Sequence, residues 1–329
     1  MRTVLLALLF VLGMSSPTLA EKPLVGFITG SPGLGDQSFN DMAHAGVLKA
    51  QREFGFNLVI LEPTAEAEAT EKDVLDVIGK TDVTILLGAQ HTEVARKAAL
   101  QYPKKKCILL DAAIEDIPNV SSVMFGQHEG SFLAGALAAY VSASGKIGFV
   151  GGAKIPEVRA FEQGYREGAA YANPRTEILV DYTSPAGDYS GFSNPDKGFQ
   201  LATGQFEKGA DIIFAVAGGT GNGVIEAARR SGRLAIGVDA DQDALAKGSV
   251  LTSMMKRLDV AAYNELKSVM ENRFTPGTRV YGLKNGGVGL SEMRYTRDKV
   301  PDAVMKKIDE IGKKIIAGEI TVTDILSAK

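Results

Sequence analysis

Tryptophan is absent from this 329-residue chain, cysteine occurs once and histidine three times, and each scarcity removes a class of function. Cys107 alone can build neither a disulfide framework nor a thiolate metal site, and it sits in the apolar run Cys107-Ile108-Leu109-Leu110. His44, His91 and His128 have no metal-ligand spacing, and no G-x-S-x-G nucleophile elbow occurs. A dinucleotide fingerprint G-x-G-x-x-G is missing, and Gly79-Lys80-Thr81 has Val74 where a phosphate-binding loop needs its first glycine. No enzyme, cofactor or metal is expected from these residues. Charge of one sign is also scarce: 36 basic against 39 acidic side chains, without the clustered Lys and Arg that a nucleic-acid partner requires. Beyond the first twenty residues no stretch approaches the run of about 18 apolar residues that a membrane helix needs.

Those first twenty residues read as a secretory signal. Arg2 supplies the positive start, Val4 to Val11 is continuously apolar, and Pro17-Thr18-Leu19-Ala20 offers small residues for cleavage after Ala20. Position 21 is Glu21 rather than the cysteine a lipid anchor would use, so a freely diffusing periplasmic protein is expected. The remaining 309 residues carry a net charge of −4 and suit about two domains.

Short branched-apolar runs alternate with helical patterns, the signature of parallel α/β structure. Strands are expected at Leu24 to Ile28, Asn57 to Leu61, Val83 to Leu87, Cys107 to Leu110 and Val120 to Phe125, with helices at about Asn40 to Glu53, Glu66 to Ile78 and Thr92 to Gln101. A helix from Glu129 to Ser142 follows. The pattern then restarts with strands at Lys146 to Val150, Ile178 to Asp181, Asp211 to Ala217 and Leu234 to Val238, and with helices near Pro156 to Ala172, Lys197 to Lys208 and Gly223 to Ser231. Two similar Rossmann-like lobes are implied. The pieces after Val250 are too few for a third core and must pack on these lobes, so the chain crosses between them more than once, which makes a hinge. The expected division is 21–127 with about 256–284, then 128–255 with about 285–300, and a terminal helix within 301–329.

Ligands bind open parallel sheets outside the strands' carboxyl ends, so the loops after the strands are the places to search. Gly30 to Asn40 offers glycines, Asp36, Asn40 and Phe39; the phenyl ring either faces a ligand or tucks into the core beneath a helix cap. Ala217-Gly218-Gly219-Thr220-Gly221-Asn222-Gly223 brings backbone donors to a helix N terminus. Asp239 ends a strand where a carboxylate can accept from a vicinal diol, while Asp241 and Asp243 read as a solvated turn. Lys256 ends an apolar strand, either as a partner for Asp239 or as a surface lysine.

At these loops the sequence resembles the basic membrane protein family of ABC-transporter substrate-binding proteins, close to the purine nucleoside receptor type. The matching segments are Gly35-Asp36-Gln37-Ser38-Phe39-Asn40, Gly130-Ser131-Phe132-Leu133-Ala134-Gly135, Lys146 to Gly152, Ala217 to Gly221, Gly237-Val238-Asp239, and Thr252-Ser253 ahead of Lys256. The resemblance implies a type I periplasmic-binding fold, two lobes with parallel sheets on a multi-crossing hinge, closing on a purine nucleoside. The base would lie between rings that fall here to Phe39 and Phe214. Ribose would go to Asp239 and Lys256, with Asn40, Asp111, Gly218 and Gly219 as further contacts and Asp36 in the same motif. It also implies permease subunits as partners and leaves open a flavin or sugar ligand, or a sensing role. A monomer is expected.

Overall fold

The computed structural model describes residues 22–63 and 68–327. The signal and Glu66 lie outside the described residues. The chain forms β1 (Leu24–Ile28), α1 (Phe39–Phe54), β2 (Asn57–Leu61), α2 (Glu71–Lys80), β3 (Val83–Leu87), α3 (Thr92–Gln101), β4 (Lys106–Leu110) and β5 (Val120–Phe125). It continues with α4 (Gln127–Val141), β6 (Lys146–Ala153), α5 (Pro156–Ala172), β7 (Glu177–Ser184), α6 (Pro195–Glu207), β8 (Ile212–Val216), α7 (Gly219–Arg230) and β9 (Leu234–Asp239). The last elements are β10 (Val250–Lys256), α8 (Leu258–Met270), β11 (Gly277–Tyr281), β12 (Val288–Leu290) and α9 (Asp302–Ala317). The expected helix from Glu66 begins instead at Glu71, because the Thr70 hydroxyl accepts from the Asp73 backbone N–H at 3.2 Å and caps it there.

Two six-stranded sheets result, in the orders β2-β1-β3-β4-β5-β11 and β7-β6-β8-β9-β10-β12. All pairings are parallel except that β12 runs antiparallel to β10. Fully buried strands such as Val83–Leu87 and Ile212–Val216 are apolar throughout because helices cover both faces. On the first sheet Phe27, Ile85 and Ile108 pack with Ala43 and Val47 of α1, while Ile28, Leu86 and Leu109 pack with Val74 of α2 and Ala95 of α3. In the second lobe Phe149 and Phe214 face α4 and α5, whereas Ile213 and Ala215 face Val224 and Ile225 of α7. Cys107 belongs to this buried structure, and burial pushes its thiol up to about 12. No described helix is long and apolar enough to cross a membrane.

The polypeptide passes between the lobes three times, at β5 to α4, at β10 to α8, and between β11 and β12. These crossings are bonded to one another: Gly126 N–H donates to Tyr281 O at 2.8 Å and Arg257 N–H to Gly287 O at 2.9 Å. Glu129 adds a carboxylate that accepts from Leu283 N–H at 2.7 Å. Short parallel linkers tied by a few hydrogen bonds can bend together while each lobe stays rigid.

Candidate functional site

The two sheets present their carboxyl ends to each other, and the loops leaving those ends enclose a cavity of about 640 Å³ counted out to its mouth. Strands β4 and β9 occupy the same place in their sheets, third from the edge. Each is followed or closed by an aspartate in left-handed backbone, Asp111 at φ 67° and Asp239 at φ 64°. Few residues other than glycine tolerate that region, and aspartate is one of them. This conformation turns both carboxyls into the cavity, 6% and 5% exposed.

Lys256 ends β10 between them and is 1% exposed, so it is no surface lysine. Its Nζ lies 2.5 Å from Asp111 Oδ2 and 5.5, 5.2 and 5.3 Å from the ring centres of Phe39, Phe125 and Phe161. An ammonium at such distances gains from the negative faces of aromatic rings. Burial raises the Asp239 carboxyl to about 7, against the lowering effects of the Lys256 charge and the Ser38 hydroxyl. Asp111 is likewise raised by burial and held back by Lys256, and its Oδ1 has no hydrogen-bond partner among the described residues.

The loop before α1 crosses to the second lobe. Ser38 Oγ donates to Asp239 Oδ2 at 2.8 Å, Asn222 Nδ2 to Asp36 O at 3.2 Å, and Gln242 Nε2 to Gln37 O at 3.1 Å. Ser31 and Ser193 hydroxyls meet at 2.6 Å. These contacts hold the lobes closed.

The predicted residues divide into two groups. Asp36, Phe39, Asp111, Gly218, Asp239 and Lys256 come together on the cavity wall. Asn40, Phe214 and Gly219 are not on it. Asn40 is buried beneath the loop, where its Oδ1 accepts from Gly30 N–H at 3.0 Å and its Nδ2 donates to Asp36 Oδ2 at 3.0 Å. It shapes the loop rather than the lining. Gly219 sits at a close approach of the lobes, since a Cβ there would lie 3.2 Å from Pro32 Cγ and from Phe192 O. Phe214 is fully buried, 5.8 Å from Phe149 and 5.3 Å from Tyr165 between ring centres. At about 3.3 Å of rise per residue it lies roughly 7 Å back from Val216, which does reach the cavity. Its ring instead backs Phe161 edge-on at 6.3 Å. Asp243 also departs from the solvated turn expected of it, being 3% exposed with Oδ2 accepting from Arg294 N–H at 3.0 Å.

Sequence reasoning missed Glu157, Phe161, Tyr189 and Phe192, which join Gly218 and Asp239 on the second lobe's side of the wall. The signal that could have found the first two is the repeat itself. Strand β6 stands in its sheet where β1 stands in the first, so the loop and helix after it, with Pro156-Glu157 opening α5, answer to the loop carrying Phe39. Tyr189 and Phe192 lie in a single helical turn after β7, where no periodic pattern marks them.

Residues 24–325 match the family described as ABC transporter substrate-binding protein PnrA-like. Among curated proteins, basic membrane protein A of Borreliella afzelii is 37% identical over 297 residues, covering 87% of each chain. An uncharacterized lipoprotein of Pyrococcus abyssi is 29% identical, covering 92% of this chain and 81% of its own. Among solved structures, an ABC transporter system solute-binding protein from Aeropyrum pernix K1 superimposes with a TM-score of 0.78 at 31% identity, over 91% of this chain and 92% of that one. Two α/β lobes closed on a cavity at their strand ends, and a match along nearly the whole chain, agree: the protein belongs to the PnrA-like basic membrane protein family of ABC transporter substrate-binding proteins.

Proposed function

We propose that this chain captures a purine nucleoside between its lobes and delivers it to the membrane permease of an ABC importer. Membership of the family brings a small-molecule ligand and a permease partner with it; the nucleoside is what the resemblance to the nucleoside-receptor type implies, and the cavity supports it. The observation that carries this reading is the meeting, in one enclosed space, of an unpartnered acceptor on Asp111 with aromatic walls at Phe39, Phe161 and Phe192. A vicinal diol brings two hydroxyl donors to the Asp111–Lys256–Asp239 group. A flat base brings a π-face, and stacking on one ring contributes ~1–3 kcal/mol. A free sugar would answer the carboxylates but offer the rings only C–H faces, without the π-face of a base.

Because the contacting groups come from both lobes, a ligand that touches both binds the closed form better and draws the hinge shut. The permease then meets a surface that differs between loaded and empty protein. We place this cycle in the periplasm, on the signal read in residues 1–20.

Protein purified without added ligand, then denatured and extracted, should release a purine nucleoside identifiable by mass spectrometry. A flavin, sugar or amino acid released at close to one per chain would replace the nucleoside reading. The intact mass of the same preparation should correspond to a chain starting at Glu21, and an acyl-bearing mass would contradict the free periplasmic form.

A further inference from the structure

Among the described residues four carboxyl groups face the cavity, and three of them already have strong donors. Asp36 accepts from the backbone N–H groups of Ser38, Asn40 and Asp41 and from Asn40 Nδ2. Asp239 takes the Ser38 hydroxyl, and Asp111 Oδ2 takes Lys256. Glu157 is the fourth. It stands in the first turn of α5 on the second lobe, and its buried Oε2 has no partner among the described residues. Among the described residues, the only other fully buried carboxylate oxygen on the cavity wall without a partner is Oδ1 of Asp111, contributed by the first lobe.

The one donor among the described residues that reaches the Glu157 carboxyl is its own backbone N–H, which leaves Oε2 unmet. Ile155, Val158 and Phe161 make that part of the wall apolar. Burial raises its carboxyl and the Asp111 charge raises it further, while its own backbone N–H and then Lys256 oppose them, so the three side chains lie near enough to act on one another. A negative charge in the first turn of a helix is favoured by the helix dipole. That accounts for an acid on α5 but not for its second oxygen, Oε2, being buried at the cavity without a partner. A buried acceptor left unmet is destabilising, and a ligand donor would relieve it.

We propose that Glu157 is a specificity-determining residue of the cleft, accepting a hydrogen bond from a hydroxyl or amino group of the ligand while Asp111 accepts from the opposite lobe. Ligands that lack this donor leave the carboxyl stranded and are rejected. The proposal rests on the nucleoside reading only for its choice of probes.

Calorimetric titration of the wild-type chain, Glu157→Gln and Glu157→Leu tests it with adenosine, guanosine and inosine and with their 2′-, 3′- and 5′-deoxy forms. Wild type should discriminate against one missing donor by about tenfold or more, the usual scale for a lost hydrogen bond to a charged group. In Glu157→Leu that one ratio should collapse to within about threefold while the ratios for the other analogues stay as in wild type. Glu157→Gln keeps an acceptor oxygen and should hold the parent nucleoside more tightly than the Leu variant does. Both variants remove the charge from the helix start, so a purely structural role would weaken them alike. Ratios in Glu157→Leu that match wild type for every analogue, or a wild type that ignores every missing donor, would overturn the assignment. Should wild type bind no nucleoside, the nucleoside reading falls alone. The same comparison then runs on riboflavin against lumiflavin, which lacks the ribityl hydroxyls, and on ribose against 2-deoxyribose, where unchanged ratios overturn Glu157.

Discussion

Lys256→Met should lower ligand affinity by about two to four orders of magnitude, the equivalent of ~3–5 kcal/mol for stranding one partner of a buried ion pair. Methionine nearly matches the lysine stem in length and keeps the contact with Phe39, Phe125 and Phe161, so the loss reports the ammonium and not the packing. The mechanism is electrostatic. Asp111 and Asp239 are both almost fully buried, and Lys256 lowers the carboxyl of each. Without it both carboxyls climb further, and the closed form either takes up protons or opens. Adding Asp111→Asn to the Met variant should restore part of the binding, because the charge left unpaired is then gone. Calorimetry on the single and double variants checks this. An affinity within about threefold of wild type for Lys256→Met would show that the pair is a bystander.

The second large effect is on pH. In the closed, ligand-free form the Asp239 carboxyl stands at about 7, above the ordinary carboxylate value of 3.8. A group raised in this way binds its proton more tightly when the lobes are shut. Closure is therefore favoured at low pH, and the contribution is lost as pH rises through about 7. Asp36 and Asp111 push the same carboxyl upward while Lys256 and Ser38 hold it down, and Asp36, Asp111 and Glu157 are themselves raised by burial. Small-angle scattering on ligand-free protein should give a smaller radius of gyration at a pH of about 5.5 than at about 8.5. Asp239→Asn, which cannot ionise, should stay compact over a wider range. Wild type with no change across this window, or a variant with the same change, would remove Asp239 from the closure equilibrium.

Much of this fold is legible in the sequence. Strand after strand lies where branched apolar runs predicted it, because a sheet covered on both faces leaves little room for polar residues. The paired aspartates were half legible. Asp239 was reachable from the rule that ligands bind at strand ends, but its left-handed backbone and its symmetry with Asp111 are properties of the fold. Phe214 shows where the reasoning stopped. An aromatic in a strand facing the cavity side looks the same in sequence whether it sits on the last rung or one rung below, and only the register separates Val216 at the wall from Phe214 in the core. Lys256 was ambiguous for a different reason. One lysine at the end of an apolar strand becomes buried only if the other lobe supplies a carboxylate, and that partner is 145 positions away in sequence. Tyr189 and Phe192, on the second lobe's side of the wall, were overlooked because they belong to a turn without periodicity.

The central claim is that facing loops of two hinged lobes enclose a nucleoside, with Phe39 on one side of it. Isothermal titration of wild type and Phe39→Ala with adenosine, guanosine, inosine and riboflavin measures that directly. One site per chain for at least one purine nucleoside is expected, weakened about five- to a hundredfold in the Ala variant by the loss of one stacking face. No heat with any of the three nucleosides, or equal affinity in wild type and Phe39→Ala, would contradict the account.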